Sequence, residues 1–345
     1  MNTDCNAQQE YEYMVCVHCM TFNQEKYIRK CLDGFVMQKT SFPFVVVVVD
    51  DDSMDKTPAI ISEYAMRYPS IIHPVLLEEN HYSIRKSKAP YFEPYDKKAK
   101  YVAFCEGDDY WTDSNKLQRQ VDVLEKYPNC KACFHKVSKV DERGNDLNAT
   151  FPSMSIKQGY IKPTKFIKML RDDFTFHLTS QFLNSKEYIK YITMDFQFRK
   201  VARCGDIPLL LYFGQYGVFY IDEVMSCYRV GSVGSHTEKM LHDREYRNLF
   251  YDSIDNMMDE YDNFTSRKYH KYCTQIKQRY HFIKLQLSHH LGNISTEQYE
   301  KEIIKREYRY HFKTNTPFKS RLLTYLNVYL PRVGKLVKKY FVNSK

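Results

Sequence analysis

The feature that most constrains this chain is the stretch Phe44-Val-Val-Val-Val-Val-Asp50, five consecutive valines that run straight into Asp50-Asp51-Asp52. Five β-branched residues with no polar alternation suit a strand covered on both faces, and such strands belong to parallel sheets wrapped by helices. The flanking pattern agrees. Short apolar runs at 13–19, 71–77 and 101–105 alternate with helical periodicities: Tyr27, Ile28, Cys31, Leu32 and Phe35, then Ile60, Ile61 and Tyr64 from a start near Asp55, then Leu117, Val121 and Leu124 behind Ser114 as N-cap. The alternation predicts βαβ units and a Rossmann-like, mainly parallel α/β sheet with the valine strand at its centre.

Two of these strands end in acids. The valine strand stops at Asp50-Asp51-Asp52, and the run Tyr101-Val-Ala-Phe104 passes without a polar transition into Cys105-Glu-Gly-Asp-Asp-Tyr-Trp111. Ligands of open α/β sheets bind beyond the carboxyl ends of the strands, so the two clusters are expected on one rim. Carboxylates crowded there repel one another, and a hard divalent cation, Mg²⁺ or Mn²⁺, that also takes phosphate oxygens from a substrate would relieve them. The plainer reading of the second cluster is a solvated turn capping the helix at Ser114. Gly107 favours a site, since it lets a neighbouring segment approach closely.

Four segments resemble the inverting family-2 glycosyltransferases with the GT-A fold. Residues 15–38 look like the first strand, Thr-(Tyr/Phe)-Asn turn and helix of that family, and Val48-Val-Asp-Asp-Asp-Ser-Met-Asp-Lys-Thr57 looks like its Val-Asp-Asp-Gly-Ser-Thr-Asp segment. Residues 101–125 look like its metal motif and following helix, and residues 204–232 like the stretch holding its catalytic base. The resemblance implies a nucleotide-sugar pocket lined by Thr21, Phe22, Asn23, Glu25 and Ser53, with Asp51 reading the base edge. It implies Asp108 as main metal ligand, Glu106 helping to hold the metal or ribose, Asp109 completing the cluster, and Asp206 as general base. Asp206 reads equally as the N-cap of the helix it opens. Arg85, Lys86 and Lys88 could reach the diphosphate from a loop, as could Arg229, and Tyr110 and Trp111 read either as a sugar-stacking face or as core. His177 and His236 are suggestive near the metal or acceptor. The chain departs from the family at Asp52, where Gly is common, and at Glu106, where Asp is common.

At 345 residues the chain allows about two domains. We expect a glycosyltransferase domain over 1–236, closing with a helix from Pro163 to Arg171 and short strands at 218–221 and 224–229, and a helical C-terminal region over 237–345, with helical patterns at 241–290 and 296–312. The net charge of +9 is concentrated in the last 33 residues, which hold eight Lys or Arg and no acid, leaving 43 basic against 42 acidic residues before Lys313. Apolar positions in that tail fall on helical faces, so it reads either as a basic amphipathic helix for an anionic membrane surface or as an ordinary packed helix. The longest apolar run, residues 42–49, is far short of the roughly 20 residues of a membrane span. No secretory leader is evident, so a cytoplasmic protein, peripheral on the inner membrane face if the tail binds lipid, is expected, with its ten cysteines as thiols. The pairs Cys16/Cys19 and Cys130/Cys133 have metal-like spacing, but a separation of three on a strand sends the first two sulfurs to opposite faces.

The function expected is transfer of a sugar from a nucleotide-sugar donor, a UDP-sugar, to a hydroxyl of a glycan or glycolipid in surface polysaccharide synthesis. A sugar nucleotidyltransferase would carry a glycine-rich phosphate loop after the first strand, and residues 18–27 contain no glycine. A nucleic-acid-binding protein fits the overall charge but not an acid-lined rim, which would repel phosphate without a metal.

Overall fold

The computed structural model describes residues 11–172, 176–232, 239–240 and 242–290, together with 298, 300–301 and 326. His236, most of the helix expected at 296–312 and the basic tail lie outside the described residues. The chain divides into two compact units: Met1–Phe166, Thr175–Asp195 and Leu209–Glu238 form the first, and Ile167–Phe174, Phe196–Pro208 and Lys239–Lys345 the second. The second unit therefore draws on two segments that precede residue 236.

The first unit is a mixed sheet flanked by helices. Its strands are β1 Tyr13–Thr21, β2 Phe44–Asp50, β3 Ile72–Leu76, β4 Ala99–Phe104, β5 Tyr110–Trp111, β6 Ala132–Val140, β7 Asp146–Phe151, β8 Gly159–Ile161, β9 Phe182–Asn184 and β10 Val218–Arg229. They lie in the order β3-β2-β1-β4-β9-β6-β10-β5, with β7 beside β6 and β8 beside β10. β3, β2, β1 and β4 run parallel, whereas β9 is antiparallel to both β4 and β6. β10 is a single strand with irregular register between Ile221 and Ser226, where two short strands were expected.

β2 is buried at every position, as its valines require. Val46 and Val48 share one core with Val15, Val17 and Cys19 of β1, with α1 (Ile28–Val36) and with α2 (Thr57–Arg67). Val45, Val47 and Val49 face the other side with Cys16 of β1 and Phe92 of α3 (Ala89–Asp96). Cys16 and Cys19 thus sit on opposite faces, as period-two geometry demands. The described cysteines are all free thiols. α4 (Lys116–Lys126) begins one residue later than expected: Asn115, not Ser114, is its N-cap, and Asp113 takes the Asn115 N–H on its carboxylate (2.8 Å).

Further along come α5 (Pro163–Asp172), α6 (Ser185–Thr193), α7 (Gln197–Lys200) and α8 (Asp206–Gly214). In the second unit α9 (Arg244–Phe264) and α10 (His270–His290) replace the continuous helical pattern read from the sequence. The break falls at Ser266 and Arg267, both with positive φ. Phe198 of α7 packs on Tyr261 and Phe264 of α9. Inside this unit His281 lies between Asp255 (2.8 Å) and Glu300 (2.7 Å). Burial alone would lower its pKa, but the two carboxylates outweigh that and raise it to about 9. No described helix is long and apolar enough to cross a membrane.

Candidate active site

The parallel registers bring the ends of β1, β2 and β4 together: Thr21 lies opposite Asp50, and His18 opposite Phe104. Two acidic turns leave this rim side by side, and their side chains meet different fates.

The turn after β2 is satisfied from within. Asp50 accepts the Ser53 hydroxyl (2.6 Å) and amide (3.0 Å), and Ser53 Oγ in turn accepts the Asn23 N–H (2.8 Å). The Asn23 side-chain oxygen accepts the Met54 N–H (2.8 Å), while Glu25 accepts from the Lys56 amide (3.0 Å) and gives its own amide to Asp55 (3.0 Å). These reciprocal bonds latch the 21–25 turn to the 53–57 turn, and they are made by Asn23, Glu25 and Ser53, three residues expected in the nucleotide pocket. Asn23 and Asp52 both adopt positive φ, conformations in which short polar side chains are enriched. Asp51 is 3 % exposed, and its carboxylate accepts the His81 (2.8 Å) and Tyr82 (3.1 Å) amides and pairs with the Lys88 ammonium (2.8 Å). Lys88 therefore neutralises Asp51. Lys86 pairs with Glu79 (2.6 Å), Arg85 stands exposed, and Phe22 lies open on the rim at 46 % exposure.

The turn after β4 is different. Gly107 packs so closely under the first turn that a Cβ there would come within 2.4 Å of Gln24 Oε1 and 2.7 Å of Thr21 Oγ1. Thr21 and Gln24 are bonded to each other (2.7 Å), so the space cannot be cleared cheaply. Asp108 accepts the Ser232 hydroxyl (2.7 Å). Asp109 is buried at 1 % exposure; one oxygen accepts the Arg229 amide (2.9 Å) and the other, Oδ2, has no hydrogen-bond partner among the described residues. Burial first, then the charges of Asp108, Cys105 and Glu106, push its pKa well above the ordinary carboxylate range.

His177 sits 3.5 Å from that orphan oxygen, and its Nδ1 already accepts the Thr179 N–H. Burial and then Lys139 lower its pKa to about 3, so the ring is neutral, and its Nδ1 lone pair would have to leave the Thr179 N–H to meet a cation. Ligand atoms of Glu106, Asp109 and His177 lie within 4.8 Å of one another. A divalent cation fits this donor set, because it would occupy the unpaired oxygen and relieve the repulsion that raises Asp109. His177 thus stands where the sequence only hinted, while Asp108, expected as main ligand, has one oxygen engaged by Ser232. Ser232 was missed; its only signal is its position just beyond Arg229 at the end of β10.

Two expectations are corrected. Trp111 is 2 % exposed, packed edge-on against Phe35 (4.8 Å) with the Lys116 ammonium over its ring (4.0 Å), so it is core and offers no face to a sugar. Tyr110, likewise buried, lies under the Lys30 ammonium (3.9 Å). Arg229 is also buried: its guanidinium donates to the carbonyls of Asp108 (3.0 Å), Asp141 (3.1 Å) and Glu142 (2.7 Å) and lies over Tyr27 (4.4 Å). The engagement of its Nε and Nη1 makes it a strut for the acidic turn. Asp206, in the second unit, opens α8 and accepts the Ile207 N–H on its carboxylate (2.9 Å).

A mixed sheet whose parallel strands end in a turn of clustered carboxylates beside a latched polar loop is the architecture of a GT-A glycosyltransferase. Residues 16–192 match the model of glycosyl transferase family 2, and the chain belongs to that family. Uncharacterised proteins of Mycobacterium tuberculosis and Mycobacterium bovis are 42 % identical over 139 residues, a match that spans 39 % of this chain and 38 % of theirs. The fold is similar to that of S. aureus TarS 1–349 in complex with UDP (16 % identity, TM-score 0.52, 92 % of this chain and 82 % of that one). It is equally similar to the same protein in complex with UDP-GlcNAc (16 %, 0.52, 91 % and 79 %).

Proposed function

We propose that the chain is a metal-dependent, inverting transferase that moves a sugar from a UDP-sugar to a hydroxyl of a glycan or glycolipid acceptor, in the synthesis of a surface polysaccharide. The observation that carries the reading is the unpartnered, buried Oδ2 of Asp109, set among Glu106, Asp108 and His177 at the strand ends. These four residues would hold Mn²⁺ or Mg²⁺, which when bound supplies positive charge to the leaving diphosphate. Arg229 and Ser232 hold the turn in place. Asp51, its carboxylate oriented by two amides and Lys88, would meet the base edge, and Phe22 on the open rim is free to cover the base. The likeness to a fold solved with UDP and UDP-GlcNAc supports a uridine donor.

An acceptor hydroxyl is a weak nucleophile, so a carboxylate must take its proton as it attacks the anomeric carbon from the face opposite the diphosphate. Asp206 is assigned that role from its motif, and a single displacement inverts the configuration. Thermal-shift screening against nucleoside diphosphates tests the donor: stabilisation by UDP that requires Mn²⁺ supports the reading, and stabilisation by another nucleotide alone, or none with metal, overturns it. Asp206→Asn should keep donor binding and lose transfer; full transfer would remove the base assignment.

A further inference from the structure

A second donor set lies within the first unit, on the sheet face opposite Cys19, and the rim chemistry makes no use of it. Cys16 and His18 are two residues apart on β1, so period-two geometry places both side chains on the same face. Asp96, the last residue of α3, closes over them, with His18 Nε2 2.7 Å from Asp96 Oδ1. The three are 0 %, 4 % and 0 % exposed, and their ligand atoms all lie within 4.8 Å of one another.

Three further features point to a ligand. Asp96 Oδ2 is buried and has no hydrogen-bond partner among the described residues, a cost of the kind that a buried carboxylate ordinarily avoids. The His18 ring is fixed by stacking on Phe92 (4.0 Å) and by the edges of Phe104 (5.2 Å) and Tyr188 (5.5 Å), an apolar shell that keeps out water. The end of α3 is itself anchored, since the Ser185 hydroxyl donates to the Asp96 carbonyl (2.6 Å). Two acidic ligands and one neutral imidazole cancel the charge of a divalent ion, so an occupied site would be neutral where burial most penalises charge.

We propose that Cys16, His18 and Asp96 bind a structural zinc ion. A thiolate and an imidazole select a borderline-soft metal, whereas the rim set, rich in carboxylate oxygen, suits Mg²⁺ or Mn²⁺. Zinc takes sulfur, nitrogen and oxygen at about 2.0–2.3 Å in a four-coordinate site, so Cys16 and His18 would each supply one ligand and Asp96 both of its oxygens. Because all three ligands are buried, the ion enters as the chain folds and leaves slowly. Zinc is also reconciled with the wide spacing of the cysteine pairs: the partner of Cys16 is a histidine two residues along, not the cysteine three along.

The test is zinc content by mass spectrometry of the full chain, folded in zinc-supplemented medium and dialysed against EDTA. We expect one zinc per chain, retained in Cys19→Ser and in the double variant Glu106→Gln/Asp108→Asn, and lost in Cys16→Ser and Asp96→Asn. Should the last two fail to fold, the wild-type chain refolded with Co²⁺ gives the answer alone, through a thiolate-to-cobalt charge-transfer band. Wild-type protein free of zinc, zinc undiminished in a folded Cys16→Ser, loss of zinc with the rim variant, or a cobalt spectrum without that band would each overturn the proposal.

Discussion

The two acidic turns of this rim look alike in sequence, each a cluster of carboxylates closing a buried strand, yet the protein treats them in opposite ways. Asp50 and Asp51 meet a serine, two backbone amides and a lysine, all from within the chain. Asp109 is left with a naked oxygen among like charges. Crowded acids therefore mean different things according to who answers them: the first turn is finished by folding, and the second, in the function proposed above, awaits a cation.

The sharpest way to break this contrast is to remove the charges themselves. Glu106→Gln/Asp108→Asn should lower sugar transfer by at least about 10²-fold, the order seen when stabilisation of developing charge is lost. The metal-free variant should melt no lower than wild type; unaltered transfer with the sugar donor would place the chemistry elsewhere. In the first turn the same kind of change should damage the fold. Asp51→Asn breaks a pair with Lys88, whose side chain is 15 % exposed, and turns an NH₂ toward an amide donor. We expect a loss of about 2 kcal/mol after allowing for that exposure, read as a lower urea midpoint. An unchanged midpoint would mean the internal pairing is idle.

Ser53→Ala removes the bridge between Asp50 and Asn23 and should cost about 1 kcal/mol by the same measurement. The smallest effect is a pH slope. Asp109 has a raised folded pKa, so its contribution to metal-free stability is full below the unfolded value near 3.8 and is lost as pH rises through the folded value. The stability of wild type minus Asp109→Asn should therefore fall with rising pH in EDTA and flatten in Mn²⁺. A difference that rises with pH, or ignores metal, would contradict the picture of a charge awaiting its partner.

Much of this was legible beforehand because it rests on local pattern. The valine run located a strand buried at every position, although it lies second from the edge of the sheet and not at the centre where it was expected; period-two counting separated Cys16 from Cys19, and the acids at two strand ends located the rim. What escaped depends on contacts between residues far apart in sequence. Arg229 meets Asp108 across 121 positions and spends its donors on carbonyls, which no pattern of neighbours reveals. Trp111 follows the acids directly but turns inward because Gly34 of α1 leaves room for its backbone, where a Cβ would come within 2.9 Å. Asn23 and Ser53 were assigned to the ligand from their motif, and each also latches one loop to the other. Ser114 does not cap the helix: the Asn115 amide goes to Asp113 and the Leu117 amide to the distant Gln38 (3.1 Å), which no local pattern reveals.

The most direct test of the central claim is Mn²⁺ binding in the presence of UDP, followed by the loss of the free-ion electron paramagnetic resonance signal. We predict one bound Mn²⁺ per chain for wild type and for Ser53→Ala, and none for Glu106→Gln/Asp109→Asn. Equal binding by wild type and the double variant, or no binding by wild type, would show that the turn after β4 is not a cation site.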